Sequence, residues 1–383
     1  TFGFVTLRDG ENVIIQNNEF DSNFITGYYY GQDSFSISSA KTIDISNNII
    51  QGKGAKENNA LDYNNYTAGR CIVFNVVTNA YTANNTLRKA GIPHCNAGEM
   101  FLLENLNVKY DGVLASATET SVTLPDNAAI QFSKDDIISV VSGEGVYQYR
   151  TVVSAKGKTA NLDAPFDVLP DANSRIIISH CFSNIALYNN LFDGHTTWDK
   201  YPGATTSLQA YGSTHNLFME KNTFKDMPEG ICITPYYYNP VENSGKAVIS
   251  WCTFDDNVFD KNGVGIRYCG TFDPNEGPIP ACVSFGMLIR RNNFKKIPEY
   301  THSDWVGQGG YAVQMGSLTK RATGDRWQGD WMNGILIENN KFKYSESADL
   351  SLGSHQNNVL IRNNGKITTA IHENGNKAVS LDY

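Results

Sequence analysis

One phrase recurs along this chain: an apolar run, a polar pair closing on asparagine, then a short strand-like piece carrying an aromatic or aliphatic residue. It reads NVIIQNNEF ending at Phe20, TIDISNNII ending at Ile50, TNAYTANNTL ending at Leu87 and NIALYNNLF ending at Phe192. It returns as NLFMEKNTF ending at Phe224, WCTFDDNVF ending at Phe259, GMLIRRNNF ending at Phe294, GILIENNKF ending at Phe342 and NVLIRNNGKI ending at Ile367. A phrase repeated this often restricts the fold to architectures built by stacking one unit on the next.

The asparagines that close the phrase read as Asn18, Asn48, Asn85, Asn190, Asn222, Asn257, Asn293, Asn340 and Asn364. Successive positions lie 24 to 47 residues apart, except for one gap of 105 between Asn85 and Asn190. Strands of successive coils would stack about 4.8 Å apart. At a sharp corner asparagine tolerates a left-handed backbone. Its amide also donates to the equivalent amide on one neighbouring coil and accepts from the other, so a column of asparagines satisfies the corner.

A first strand, a turn of variable length, a second strand ending in asparagine, a short third strand and a further turn together resemble the right-handed parallel β-helix of the pectate-lyase-like superfamily. The resemblance covers nearly the whole chain outside the long gap. A leucine-rich repeat would need regularly spaced leucines and a helical arc, and neither is present. The expected fold is therefore all-β: a right-handed parallel β-helix of about nine to ten coils with an inserted antiparallel β subdomain. The expected organisation is N-terminal coils over residues 1–105, an inserted barrel-like or sandwich-like subdomain over 106–179, and C-terminal coils with the main groove over 180–383.

The insertion follows from what fills the gap. The runs SVTL, DIISVV, QYRTVV, TANL and RIIIS are short and β-branched, and the turns PDN, GEG, KGK and PDAN bound them. A solenoid grows in one dimension, so 383 residues remain compatible with one stacked body. The first coil begins inside GFVTLRD and the chain stops in AVSLDY, and an open β-helix end exposes edges that solenoids normally cap, so a segment of a longer polypeptide is expected.

A net charge of -8 and a pI near 5.4 argue against a nucleic-acid partner held through phosphates. No apolar run is long enough to cross a bilayer. The seven cysteines show no CxxC metal spacing and are odd in number. Buried thiols are the default, with Cys71–Cys95 and Cys252–Cys282 as bridges in an oxidising compartment.

Alternation along the first-sheet strands puts Leu208, Ile231, Ile233, Ile266, Val313, Leu350 and Leu352 inward, and Gln209, Tyr211, Cys232, Thr234, Arg267, Cys269, Gln314 and Ser351 outward. Long segments before and after these strands would turn that outward face into a trough, the default binding site. With 20 tyrosines, 19 phenylalanines and 5 tryptophans, the chain is rich in rings on which sugars stack.

The family resemblance implies two chemistries in such a trough. Lyases hold a uronate carboxylate with a cation or metal and abstract the neighbouring proton; glycosidases use paired carboxylates. The sequence departs from both patterns, having no paired-Asp strand followed by a GHG triplet and no RxPxxR. What it offers for catalysis is Arg267 on a central first-sheet strand, His195 in DGHTTWDKY, His302 in YTHSDW and Lys320. Gln209, Tyr211, Tyr236, Tyr237, Gln314, Arg321, Arg326, Trp327 and Trp331 would line the sugar site. Glu99, Asp273, Glu276, Asp304 and Asp325 supply carboxylates for a hydrolase or a calcium ion, but no tight acidic cluster marks a metal loop. No cofactor is expected.

These readings point to a secreted or extracellular protein, or one on a cell surface or virion, whose partner is a polysaccharide or cell-surface glycan. Cleavage of an acidic glycan by β-elimination leads. Hydrolysis, or carbohydrate binding without chemistry as in a tailspike, is the alternative. A lyase of this kind fits a monomer and a tailspike fits a homotrimer.

Overall fold

The computed structural model describes residues 4–21, 32–51, 69–88, 99–105, 108–196, 198, 206–235, 247–268, 284–299, 309–316, 332–353, 356–371 and 377–382. Among these residues there is no α-helix, and the repeated phrase winds into the three parallel sheets of a right-handed parallel β-helix. The first sheet stacks Val5–Arg8, the leading parts of Gln32–Ser46 and Gly69–Ala83, and then Phe101–Asn105 and Thr206–Gly212. It continues through the trailing parts of Thr223–Thr234 and Val258–Tyr268 to Tyr311–Met315, Ala348–Leu352 and Thr369–Ile371.

The second sheet runs from Glu11–Gln16 through the trailing parts of the two long strands to Phe182–Tyr188, Thr214–Glu220 and Ile249–Asp255. It ends on Ser284–Arg290, Met332–Glu338, Gln356–Arg362 and Lys377–Asp382. The third sheet is made of the short pieces after the asparagines, such as Leu191–Asp193 and Lys341–Phe342.

Every residue expected to point inward from the first sheet (Leu208, Ile231, Ile233, Ile266, Val313, Leu350, Leu352) is buried in one continuous core. Phe192, Phe224, Phe259, Phe294 and Phe342 stack in a column along the third sheet, with successive ring centroids 4.7, 5.0, 4.8 and 5.1 Å apart. That interval is close to the spacing between stacked strands, so each ring meets its counterpart once per coil.

The amide ladder is continuous, with one correction to its membership. From Asn18 to Asn364, each asparagine's backbone N–H and Nδ2 both donate to the Oδ1 of its counterpart one coil on, at 2.9 to 3.1 Å. The seventh rung is Asn292 and not Asn293. Asn293 instead begins the short strand Asn293–Lys296. The left-handed residue is also not the ladder asparagine but the one before it: Asn17, Asn47, Asn84, Asn189, Lys221, Asp256, Arg291, Asn339 and Asn363 have φ between 52° and 59°. The turn thus divides its work between one residue that bends the backbone and a second that satisfies it.

The 105-residue gap leaves the ladder intact, because Asn85 still bonds Asn190 at 2.9 and 3.0 Å. The gap contains seven antiparallel strands, from Val108–Val113 to Arg175–Ser179, wrapped around their own core of Val122, Ile138, Val140, Val152, Ile176 and Ile178. Alternate residues face the other way: Val141 and Ile177 pack with Val248 and Phe285 of the spiral. This explains the unbroken apolar run Ile176–Ile178, since both faces of that strand are covered.

Under the same contact lies His215, fully buried, its Nδ1 2.6 Å from Ser250 Oγ and its ring 5.0 Å from that of Tyr149. Cys252, placed in a possible bridge on sequence grounds, is a buried thiol within the core; burial pushes it up to about 12. Cys282 lies outside the described residues.

The ladder assignment makes opposite predictions for two adjacent asparagines. Asn292→Ala strips partners from buried groups on both neighbouring rungs, so it should cost about 2–5 kcal/mol in urea unfolding. Asn293→Ala should cost well under half of that. Equal losses for the two variants would contradict the ladder as described.

Candidate functional site

The outward face of the first sheet is built by a break in alternation. Cys71 with Ile72, and Met100 with Phe101, are consecutive residues that both enter the core. Likewise, a Cβ on Gly230 would lie 2.7 Å from the Phe259 ring, and one on Gly265 2.7 Å from the Phe294 ring, so these positions too face the interior. The residue just ahead of each pair is therefore turned outward. Register places Asp33, Arg70, Glu99, Thr206 and Glu229 on successive coils of that outward edge.

Beside this edge runs a second outward column, Gln209, Cys232, Arg267, Gln314 and Ser351, again one per coil. Tyr211 and Glu104 pair in a third. The columns are linked by ion pairs. Arg267 Nη1 lies 3.0 Å from Glu229 Oε1, and Arg70 Nε lies 3.2 Å from Glu99 Oε2 and 3.8 Å from Asp33 Oδ1. Arg70 Nη1 also reaches to 3.9 Å from Glu104 Oε2. These groups face away from the core, yet Asp33, Glu99, Glu229, Arg267 and Gln314 each keep less than a tenth of their surface exposed.

Burial dominates the acids at this edge. It raises the Glu99 carboxyl from an ordinary 4.5 to about 7, against the pull of Arg70 and with help from Glu104 and Asp33. It raises Asp33 from 3.8 to about 6, again opposed by Arg70. Near neutral pH the cluster therefore holds a proton that can be given and a carboxylate that can receive one.

Of the residues singled out from sequence, Gln209, Arg267 and Gln314 share one column and Tyr211 stands next to it. Arg267 points outward, as alternation requires, but it is 3% exposed and paired with Glu229. A guanidinium held against a carboxylate at 3.0 Å is already engaged, so it is a poor receiver for a sugar acid. His195 lies off the face, where the third sheet turns towards the first: its backbone N–H donates to Asp226 O at 2.8 Å. His302, Lys320, Tyr236, Tyr237, Arg321, Arg326, Trp327 and Trp331 lie outside the described residues, as do Asp273, Glu276, Asp304 and Asp325. Asp33 and Glu229 were not anticipated, because they fall just before the expected first-sheet strands; Arg70 opens the expected strand 70–74 but was not singled out as a site residue. The doubled apolar pairs CI and MF were the signal that the phase shifts there.

Among the described residues no group of three or more metal-ligating side chains is found, and there is no helix long and apolar enough to cross a membrane. No protein-family model matches the sequence, and a search of curated proteins returns no relative. Solved structures do align. The tailspike protein gp49 from Pseudomonas phage LKA1 aligns at 8% identity and a TM-score of 0.24, over 85% of this chain and 46% of that one. The Pseudomonas phage phi297 tailspike gp61 aligns at 10% and 0.21, over 89% and 66%. The gp54 tailspike of Acinetobacter baumannii bacteriophage AP22, solved in complex with A. baumannii capsular saccharide, aligns at 11% and 0.19, over 90% and 64%. The chain spans about half to two thirds of the length of those proteins. At such identities and TM-scores the likeness says nothing about a ligand.

The buried groups impose two opposite pH dependences. Asp33 and Glu99 bind protons more tightly folded than unfolded, so their contribution is complete below about pH 4 and is lost as pH rises through 6 and 7. His215 is depressed by burial from 6.5 to about 3, so its contribution is present above pH 6.5 and is lost as pH falls towards 3. In urea midpoints, Glu99→Gln should flatten the fall between pH 5 and 8, and His215→Gln the fall between pH 6 and 4, each slope being at most about 1.4 kcal/mol per pH unit. A variant that flattens the other limb would refute its assignment.

Proposed function

We propose that the protein binds a polysaccharide or cell-surface glycan along the outward face of the first sheet and cleaves it there. One observation carries this reading: polar side chains stand in register on consecutive coils, with Gln209 and Tyr211 half-exposed beside buried ionisable partners. Such a row repeats at the strand spacing and offers hydrogen bonds at regular intervals, which suits a chain of sugar rings better than a compact ligand. A substrate of this kind fits an extracellular, cell-surface or virion location.

Two cleavage chemistries compete for this face. β-Elimination on an acidic glycan needs an unengaged cation, whereas Arg70 and Arg267 both lie against carboxylates. The cations Lys320, Arg321 and Arg326 lie outside the described residues. The carboxylates of the face therefore favour hydrolysis. Binding without chemistry, as in an adhesive stalk, is the reading left if no bond is broken.

Affinity electrophoresis through gels containing different polysaccharides tests the surface. The protein should be retarded by at least one of them, and Gln209→Ala combined with Tyr211→Ala should weaken that retention about tenfold, a loss near 1.4 kcal/mol. Thr253→Ala, on the outward side of the second sheet, should leave it unchanged. Equal retention of both variants and the parent would remove the first sheet as the binding face.

A further inference from the structure

We propose that Asp33 and Glu99, set on either side of Arg70, form the carboxyl pair that hydrolyses the glycosidic bond of an uncharged glycan. This rests on the glycan-binding reading above and goes further by naming the site, the reaction and the substrate charge. The three residues occupy the outward edge on successive coils, Asp33 opposite Arg70 and Arg70 one coil below Glu99. One guanidinium nitrogen lies within ion-pair distance of a carboxyl oxygen from each acid, which keeps those two oxygens within about 7 Å, inside the upper bound for paired glycosidase carboxylates.

A second observation points to a ligand at this place. Thr206, on the next coil of the same edge, is 2% exposed, and its hydroxyl has no hydrogen-bond partner among the described residues. Asp33 Oδ1 and Glu99 Oε2, on side chains 8% and 5% exposed, make ion contacts with Arg70 but accept no hydrogen bond there. Polar atoms left this way are costly, and a run of them along one edge is what sugar hydroxyls and a reacting water would satisfy.

The chemistry follows from the order of the two acids. Glu99, the more strongly protonated, gives its proton to the glycosidic oxygen as the bond from that oxygen to the anomeric carbon breaks. Asp33 takes a proton from a water whose oxygen bonds the same carbon. One water is consumed, one new reducing end and one hydroxyl are formed, and proton exchange with solvent restores both carboxyls. Arg70 is a positioning residue: it holds the carboxyls at their separation and opposes the rise of both. The face presents Asp33, Glu99, Glu104 and Glu229 against Arg70 and Arg267 among the described residues, so a uronate here meets net repulsion and an uncharged sugar does not.

The test incubates the full chain with xylan, mannan, galactan and glucan, with polygalacturonate as the acidic control. Reducing ends and ultraviolet absorbance of unsaturated products are followed, and retention in polysaccharide gels is measured on the same preparations. The parent should release reducing ends from a retained uncharged polymer, with activity confined to a narrow band between about pH 6 and 7. Glu99→Gln and Asp33→Asn should each lower the rate about 10²–10⁴-fold with retention close to the parent and a thermal midpoint at pH 6–7 no lower than the parent's. Arg70→Gln should move both limbs of the pH profile upward, which a merely structural role would not do. Retention without new reducing ends, full activity in Glu99→Gln, or unsaturated product from polygalacturonate overturns the carboxyl pair while leaving the binding face. Loss of retention across the whole panel overturns the binding face itself.

Discussion

The structure depends on a hydrogen-bond arrangement that can be made only between like residues. A buried primary amide needs both donors and acceptors, and another amide one coil away supplies both at strand spacing. Each ladder asparagine past the first also sends Nδ2 back to a carbonyl of the coil below, as Asn48 does to Ile15 O at 2.8 Å and Asn222 to Leu187 O at 3.0 Å. The amide is thereby nearly saturated where it is buried. A single such corner would be an expensive buried polar group, but in a column each member satisfies the next. The ladder therefore fixes register along the whole spiral, including across the insertion, and register is what brings Asp33, Arg70, Glu99, Thr206 and Glu229 into one line.

The fold was legible because this requirement writes itself into the sequence at nearly every turn. The one slip is instructive. In RRNNF two asparagines are adjacent, and Asn293 looks like the closing residue until the distance to the stacked ring is considered. From Asn190, Asn222, Asn257 and Asn340 the phenylalanine follows two positions later, and only Asn292 keeps that interval to Phe294. Ring stacking and amide stacking are separate columns of the same lattice, and either one corrects the other.

The candidate site was less legible, for a geometric reason. Period-two alternation predicted the inward residues of the first sheet correctly, because they lie on regular strand. It failed where the third sheet bends into the first: there Cys71 with Ile72, or Met100 with Phe101, both turn inward and the phase slips by one. Arg267, downstream of the slip, was recognised as outward. Asp33 and Glu229, just upstream of it, were hidden, Arg70 was placed on its strand but given no role, and Glu229 is the partner that decides what Arg267 can do. Glu99 was visible as one carboxylate among several, but its environment was not, since burial is a property of packing and not of spacing.

The most direct test of the amide column is hydrogen–deuterium exchange resolved to single backbone amides. The N–H groups of Asn85, Asn190 and Asn222 donate to side chains one coil away, so they should exchange only through global unfolding, as slowly as the most protected amides of the second sheet. If they exchange on the timescale of freely hydrated turns, the column is not what holds the spiral together, and the alignment of the acidic edge loses its cause.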